Sequence, residues 1–209
     1  MARYKNLIFD LGDVIVHIDY PTTIAEFQKL AHIDFNEIVS YSSQKKIFDL
    51  FETGKVSSKE FRDELRKHLH PGTSDKAIDF AWNSLLLAYP EKNFKLLTEL
   101  KVRYKTFALS NINPIHLITI DRVAKEKFGV KNFESFFHRA YYSHIAGFRK
   151  PEKEFYELLI KNEDINPAET FFVDDKEENV DAAKKLGFQA FQLKDRTKLF
   201  ELLEEEKII

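Results

Sequence analysis

The chain has 209 residues, room for one ordinary domain plus a small insert, with 44% hydrophobic and 32% charged residues. That balance is globular, and twenty phenylalanines, eight tyrosines and one tryptophan supply ample core area. A formal net charge of -2 gives no basic footprint for nucleic acid, and the absence of cysteine excludes disulfides and thiolate metal sites.

The opening stretch MARYKNLIFDLG is too short and too interrupted by Asp10 and Gly12 for a signal peptide or a membrane span. A cytoplasmic protein without membrane partners is expected. Within that stretch the apolar run Asn6 to Phe9 ends in Asp-Leu-Gly-Asp, which predicts a short buried strand followed by a turn. The text then changes character up to Ala88. Ile24, Phe27 and Leu30 have helical spacing, and Ile47, Phe48, Leu50 and Phe51 cluster. Ser57, Ser58 and Glu60 open a predicted helix carrying Phe61, Leu65 and Leu69, stopped at Pro71-Gly72. Another carries Ala77, Phe80, Ala81, Trp82 and Leu85. This block reads as all-helical, with no strand.

After Pro90 helices and strands alternate. A helix with Phe94, Leu96, Leu97 and Leu100 precedes a strand at 106–109 that ends in Ser110-Asn111. A helix from about Ile115 to Phe128, a short strand within 136–142 and a helix opened by Pro151 follow. The strand at 170–173 runs into Asp174-Asp175, then a helix stopped by Gly187, a strand at 188–193 and a helix near 199–205 close the chain. Such alternation predicts an α/β fold, a doubly wound, Rossmann-like parallel sheet with the helical block inserted after its first strand. The expected division is a core of residues 1–16 and 89–209 and a helical cap of residues 17–88.

Three predicted strands thus end in polar groups, at Asp10, at Ser110-Asn111 and at Asp174-Asp175. Open α/β sheets bind ligands at the carboxyl ends of their strands, so the three groups are expected to converge. Three such groups together, including an Asp pair that must tolerate mutual repulsion, point to a cation between them, and oxygen donors beside a phosphate suit magnesium. Ser110 and the backbone N–H groups beside it offer donors to phosphoryl oxygens, and Lys150 offers the charge that lets a carboxylate approach a phosphate.

The segments LIFDLGDVIV, ALSN, GFRKP and FFVDDKEENVDAAKKLG, in that order, resemble the four motifs of the haloacid dehalogenase superfamily. FDLGDVIV and FETGKVSSKEF are similar to its bacterial sugar-phosphate (glucose-1-phosphate) phosphatase branch and to the amino-terminal phosphatase domain of soluble epoxide hydrolase. The resemblance implies a Mg2+-dependent phosphatase acting on a small phosphorylated substrate. Asp10 would be the nucleophile, Ser110 and Asn111 would hold the phosphoryl group, and Lys150 would neutralise charge. Asp10, the backbone carbonyl of Gly12, Asp174 and Asp175 would bind the metal, with Asn179 in support.

One position departs from that pattern. The superfamily usually has a second Asp two residues after the nucleophile, which serves as acid/base, and here Gly12 stands there. Losing general acid–base assistance typically costs about 10²–10⁴ in rate. Asp13, His17 and Asp19 are the candidates to replace it, and a good leaving group such as an anomeric phosphate needs less help. The competing expectations are a non-catalytic phospho-ligand binder and a metal-independent dehalogenase. Tyr41, Phe48, Phe51, Glu52 and Trp82 are the candidate pocket residues of the cap; oligomeric state is not encoded legibly.

Overall fold

Buried strands, each alternating its side chains between two covered faces, set the architecture. The computed structural model describes residues 3–35 and 46–209. Five parallel strands, β1 (Asn6–Phe9), β4 (Lys105–Ser110), β5 (Arg139–Tyr142), β6 (Thr170–Asp174) and β7 (Gln189–Gln192), form a sheet in the order β5-β4-β1-β6-β7. This is the doubly wound α/β arrangement expected.

Leu7, Phe9, Ala108, Phe171 and Val173 point to one face, into a core with α5 (Glu91–Arg103), α6 (Pro114–Phe128) and α10 (Leu199–Glu205). Ile8, Phe107, Leu109 and Phe172 point to the other, against α8 (Lys153–Glu163) and α9 (Glu177–Lys185). Both faces are buried, which is why the strands read as unbroken apolar runs rather than as alternating ones.

The helical block contains α1 (Tyr20–Leu30), α2 (Ile47–Glu52), α3 (Ser58–Arg66) and α4 (Asp75–Asn83) among its described residues. Its core gathers Phe27, Phe51, Phe61, Leu65 and Ile78, with Phe51 stacked on Phe61 at 4.1 Å. Local chemistry sets its helix starts. Asp19 caps α1 through the backbone N–H of Thr22, and Ser57 and Glu60 form the reciprocal capping box of α3.

The block is not purely helical. His17–Ile18 (β2) and Leu86–Ala88 (β3) pair antiparallel where the chain enters and leaves it. Two crossings that run side by side satisfy each other's backbone groups by pairing, and strands of two and three residues are too short to show a period. The helix expected from Pro151 begins at Lys153, because a turn from Arg149 to Glu152 comes first. Leu69 lies beyond the end of α3 and bridges to Ala31.

The block rests on the sheet unit at two places. α4 packs on α6, and Ile115 of α6 enters the helical core. On the other side Gly54, with φ of 67°, lies against the backbone of α7 (Ser143–Ala146), where a Cβ would collide with the carbonyl oxygen of His144. Gly54→Ala is therefore expected to cost roughly 1–3 kcal/mol through overpacking and a strained φ. Urea unfolding of the variant beside wild type checks this.

Candidate active site

Register brings the polar strand ends together. Phe9 stands level with Ala108 on one side and Val173 on the other, so Asp10, Ser110 and Asp174 emerge at one edge of the sheet. The backbone N–H of Asp10 still donates to Val173, 2.9 Å away. Lys150 arrives from the loop after α7. Its Nζ is 2.6 Å from Oδ1 of Asp10 and 2.5 Å from Oδ2 of Asp174, and the side chain is 1% exposed.

The surrounding hydrogen bonds fix this ion pair. Asn111 clamps the main chain of Lys150 from both sides: its Nδ2 donates to the Lys150 carbonyl and its Oδ1 accepts the Lys150 N–H, each at 2.8 Å. The other oxygen of Asp174 accepts from Nδ2 of Asn179 and from the N–H of Lys176, both at 2.9 Å. The loop after β4 is braced by Ser143, which exchanges hydrogen bonds with both backbone groups of Ile112.

Burial pushes the Asp10 carboxyl up to about 7; the charge of Asp174 acts in the same direction and Lys150 opposes it. Burial alone would lower the Lys150 ammonium, but the two carboxylates outweigh it and the net shift is upward. Asp175, half-buried, is raised by burial and then by Asp174. Asp10, Asp174 and Asp175 can each turn an oxygen to within 4.8 Å of the others. Three carboxylates meet at Lys150, with the Lys176 ammonium acting on Asp175 from the same cavity wall. A hard divalent cation fits this oxygen donor set and supplies the charge that Lys150 alone does not.

These groups close one end of a cavity of about 390 Å³ lined by Asp10, Gly12, Ser110, Asn111, Lys150, Asp175 and Asn179. Asp10 Oδ2 lies 3.9 Å from where a Cβ on Gly12 would stand, on the side away from the bonded Oδ1. The helical block closes the other end with Tyr20, Ile24, Phe48, Glu52 and Trp82. Of the pocket residues expected there, Phe51 is fully buried in the helical core, and Tyr41 lies outside the described residues. Glu52 is near the Arg149 guanidinium at 3.0 Å, and Asp49 also pairs with Arg149, which ties α2 to the loop that carries Lys150.

The candidates for a substitute acid/base stand elsewhere. Asp13, held at φ of 51°, accepts from the N–H of Ile18 at 3.2 Å and from Arg196 at 2.8 Å. His17 is half-buried in β2, with its pKa lowered by burial and by Arg196, and Asp19 is the α1 cap. None of the three lines the cavity. Sequence reading missed His116 and Arg149, which do line it. Arg149 directly precedes Lys150, the one sequence signal for it; His116 carried none.

An aspartate and a lysine thus meet at the switch point of a parallel α/β sheet, beneath a helical insert, where open sheets of this kind bind their ligands. The chain belongs to the haloacid dehalogenase-like hydrolase family, whose model matches residues 4–187. It is 31% identical over 188 residues to D-ribitol-5-phosphate phosphatase of Bacteroides thetaiotaomicron, covering 90% of this chain and 91% of that one. A haloacid dehalogenase-family enzyme of Bacteroides thetaiotaomicron, solved with magnesium and inorganic phosphate, is 36% identical over 90% of this chain and 93% of that one, with a TM-score of 0.81. A HAD-like hydrolase structure from Porphyromonas gingivalis superimposes with a TM-score of 0.88 at 28% identity, covering 98% of each chain. Among the described residues no helix is long and apolar enough to cross a membrane.

Lys150→Met would strand two buried carboxylates. In chelator it is expected to lose about 3–5 kcal/mol of stability in urea unfolding. Adding Asp10→Asn to that variant should recover part of the loss.

Proposed function

We propose that this protein is a magnesium-dependent phosphatase that hydrolyses a small phosphorylated metabolite of the sugar-phosphate class through an aspartyl-phosphate on Asp10. The observation that carries the reading is the bonding of Asp10: Oδ1 is held by Lys150 while Oδ2 faces the Gly12 side of the cavity. The magnesium complex of the 36% identical relative and the ribitol phosphate named for the 31% identical one support the cation and the substrate class.

Asp10, Asp174, Asp175 and the Gly12 carbonyl would hold magnesium, which when bound neutralises the carboxylates and polarises the phosphoryl oxygens. Asp10 Oδ2 attacks phosphorus in line, the bond from phosphorus to the ester oxygen breaks, and water later cleaves the acyl phosphate. Lys150 keeps Asp10 oriented and offsets charge on the transferring group. Ser110 and the N–H of Asn111 grip that group, while the Asn111 amide fixes Lys150. Residues 17–88 serve as a cap that excludes water from a core of residues 1–16 and 89–209. The leaving oxygen receives no proton from position 12, so esters with acidic alcohols, anomeric phosphates among them, are turned over fastest.

Phosphate release from sugar phosphates, D-ribitol 5-phosphate and an aryl phosphate, with magnesium or chelator, tests this. Turnover should need magnesium and vanish in Asp10→Asn. Turnover indifferent to chelator would sink the metal assignment, and magnesium binding without turnover on any ester would favour a phospho-ligand binder.

Gly12→Asp is the complementary variant. Its Cβ would stand 3.3 Å from the flexible tip of Ile18, and the backbone there is not left-handed. Supplying an acid at this point should raise kcat on alkyl phosphates by about 10²-fold or more, and on aryl phosphates far less.

A further inference from the structure

One polar group in the cavity is left idle by the phosphoryl chemistry. His116, in the first turn of α6, is 5% exposed and lines the cavity. Its ring lies flat on Trp82, with centroids 5.2 Å apart and planes within 3°. Nδ1 stands 3.1 Å from the side-chain oxygen of Asn83, and the backbone N–H is held at 3.0 Å by Asn113, the helix cap.

These contacts determine the protonation of the ring. An amide oxygen only accepts, so Nδ1 carries the proton and donates it to Asn83, which leaves Nε2 as an acceptor. Burial pushes the imidazole down to about 3, so it remains neutral at working pH. Nε2 is buried and has no hydrogen-bond partner among the described residues. Buried acceptors are almost always satisfied, and this one belongs to a side chain of the cavity wall.

The walls say what kind of donor suits it. Ile24, Phe48, Trp82, Ile112 and Ile120 line the same cavity. A hydroxyl delivers one hydrogen bond without bringing a charge against apolar side chains, whereas an ammonium would have to be desolvated there.

We propose that His116 is a specificity-determining residue whose Nε2 accepts a hydrogen bond from a hydroxyl on the organic part of the substrate, with Asn83 as its positioning residue. The proposal rests on the phosphatase reading for where the phosphate sits, and on the His116 geometry for the hydroxyl. Trp82 and Asn83 belong to the helical insert and His116 to the sheet unit. The acceptor is therefore poised only when the two are docked, and recognition of the hydroxyl reports closure.

The test uses non-hydrolysable straight-chain alkylphosphonates of increasing length, each with and without a terminal hydroxyl, titrated calorimetrically with magnesium. At one chain length the hydroxylated member should bind wild type about 10- to 100-fold more tightly. Its binding should also shift the ¹⁵N resonance of His116 Nε2, where the matched alkyl member does not. His116→Phe, which keeps the stack on Trp82, should abolish the preference and leave the alkyl member's affinity unchanged. Asn83→Leu should weaken the preference and Asn83→Asp retain it. No hydroxyl gain at any length with no ¹⁵N shift, or equal weakening of both members in His116→Phe, would overturn the proposal. Aryl phosphate hydrolysis measured in parallel reports on the phosphatase reading alone, since the phosphonate result does not need turnover.

Discussion

The Lys150 ammonium, buried between Asp10 and Asp174, is the contact on which the remaining geometry depends. It joins three segments far apart in the chain, and each carboxylate sits at the end of a central strand. Ion pairs of this kind seldom add net stability, because two or more charges lose their hydration to form them. Here the arrangement has a chemical reason. The same desolvation that makes the cluster costly lifts the Asp10 carboxyl, and it leaves the site hungry for additional positive charge. A cation and an anionic ester then enter a place whose dipoles are already set, with little reorganisation left for the reaction.

Much of this was legible in the sequence because the chemistry lies where buried runs stop. Asp10, Ser110 and Asp174 each end an apolar stretch, and a parallel sheet puts such ends at one edge whatever the intervening length. Loop geometry was less legible. Asp13 follows Gly12 directly, yet its left-handed backbone delivers the carboxylate to Arg196, a partner from the last part of the chain. Asn111 was read for its backbone N–H, but its side chain has a second task in clamping Lys150.

Contacts across the cavity left no trace in the sequence. Trp82 and His116 each sit in a helical pattern that looks like ordinary core, and only the docking of α4 on α6 stacks them. The pairing of Glu52 and Asp49 with Arg149 has the same character. Periodicity predicts which face of a helix is covered, not by which distant segment, so Phe48, Glu52 and Trp82 are readable as pocket candidates while their partners across the cavity emerge only from the assembled fold.

The short ribbon of β2 and β3 has a consequence for how such a molecule diversifies. Its two strands are hydrogen-bonded neighbours, so the ends of everything between them already lie together. Exchanging that intervening stretch for a longer or shorter one would leave the closure entropy almost unchanged, since this grows only as the logarithm of length. Asp10, Lys150 and the acidic pair all lie outside it. The architecture thus keeps the strand register that aligns these side chains apart from a sleeve whose length and lining can change without disturbing it.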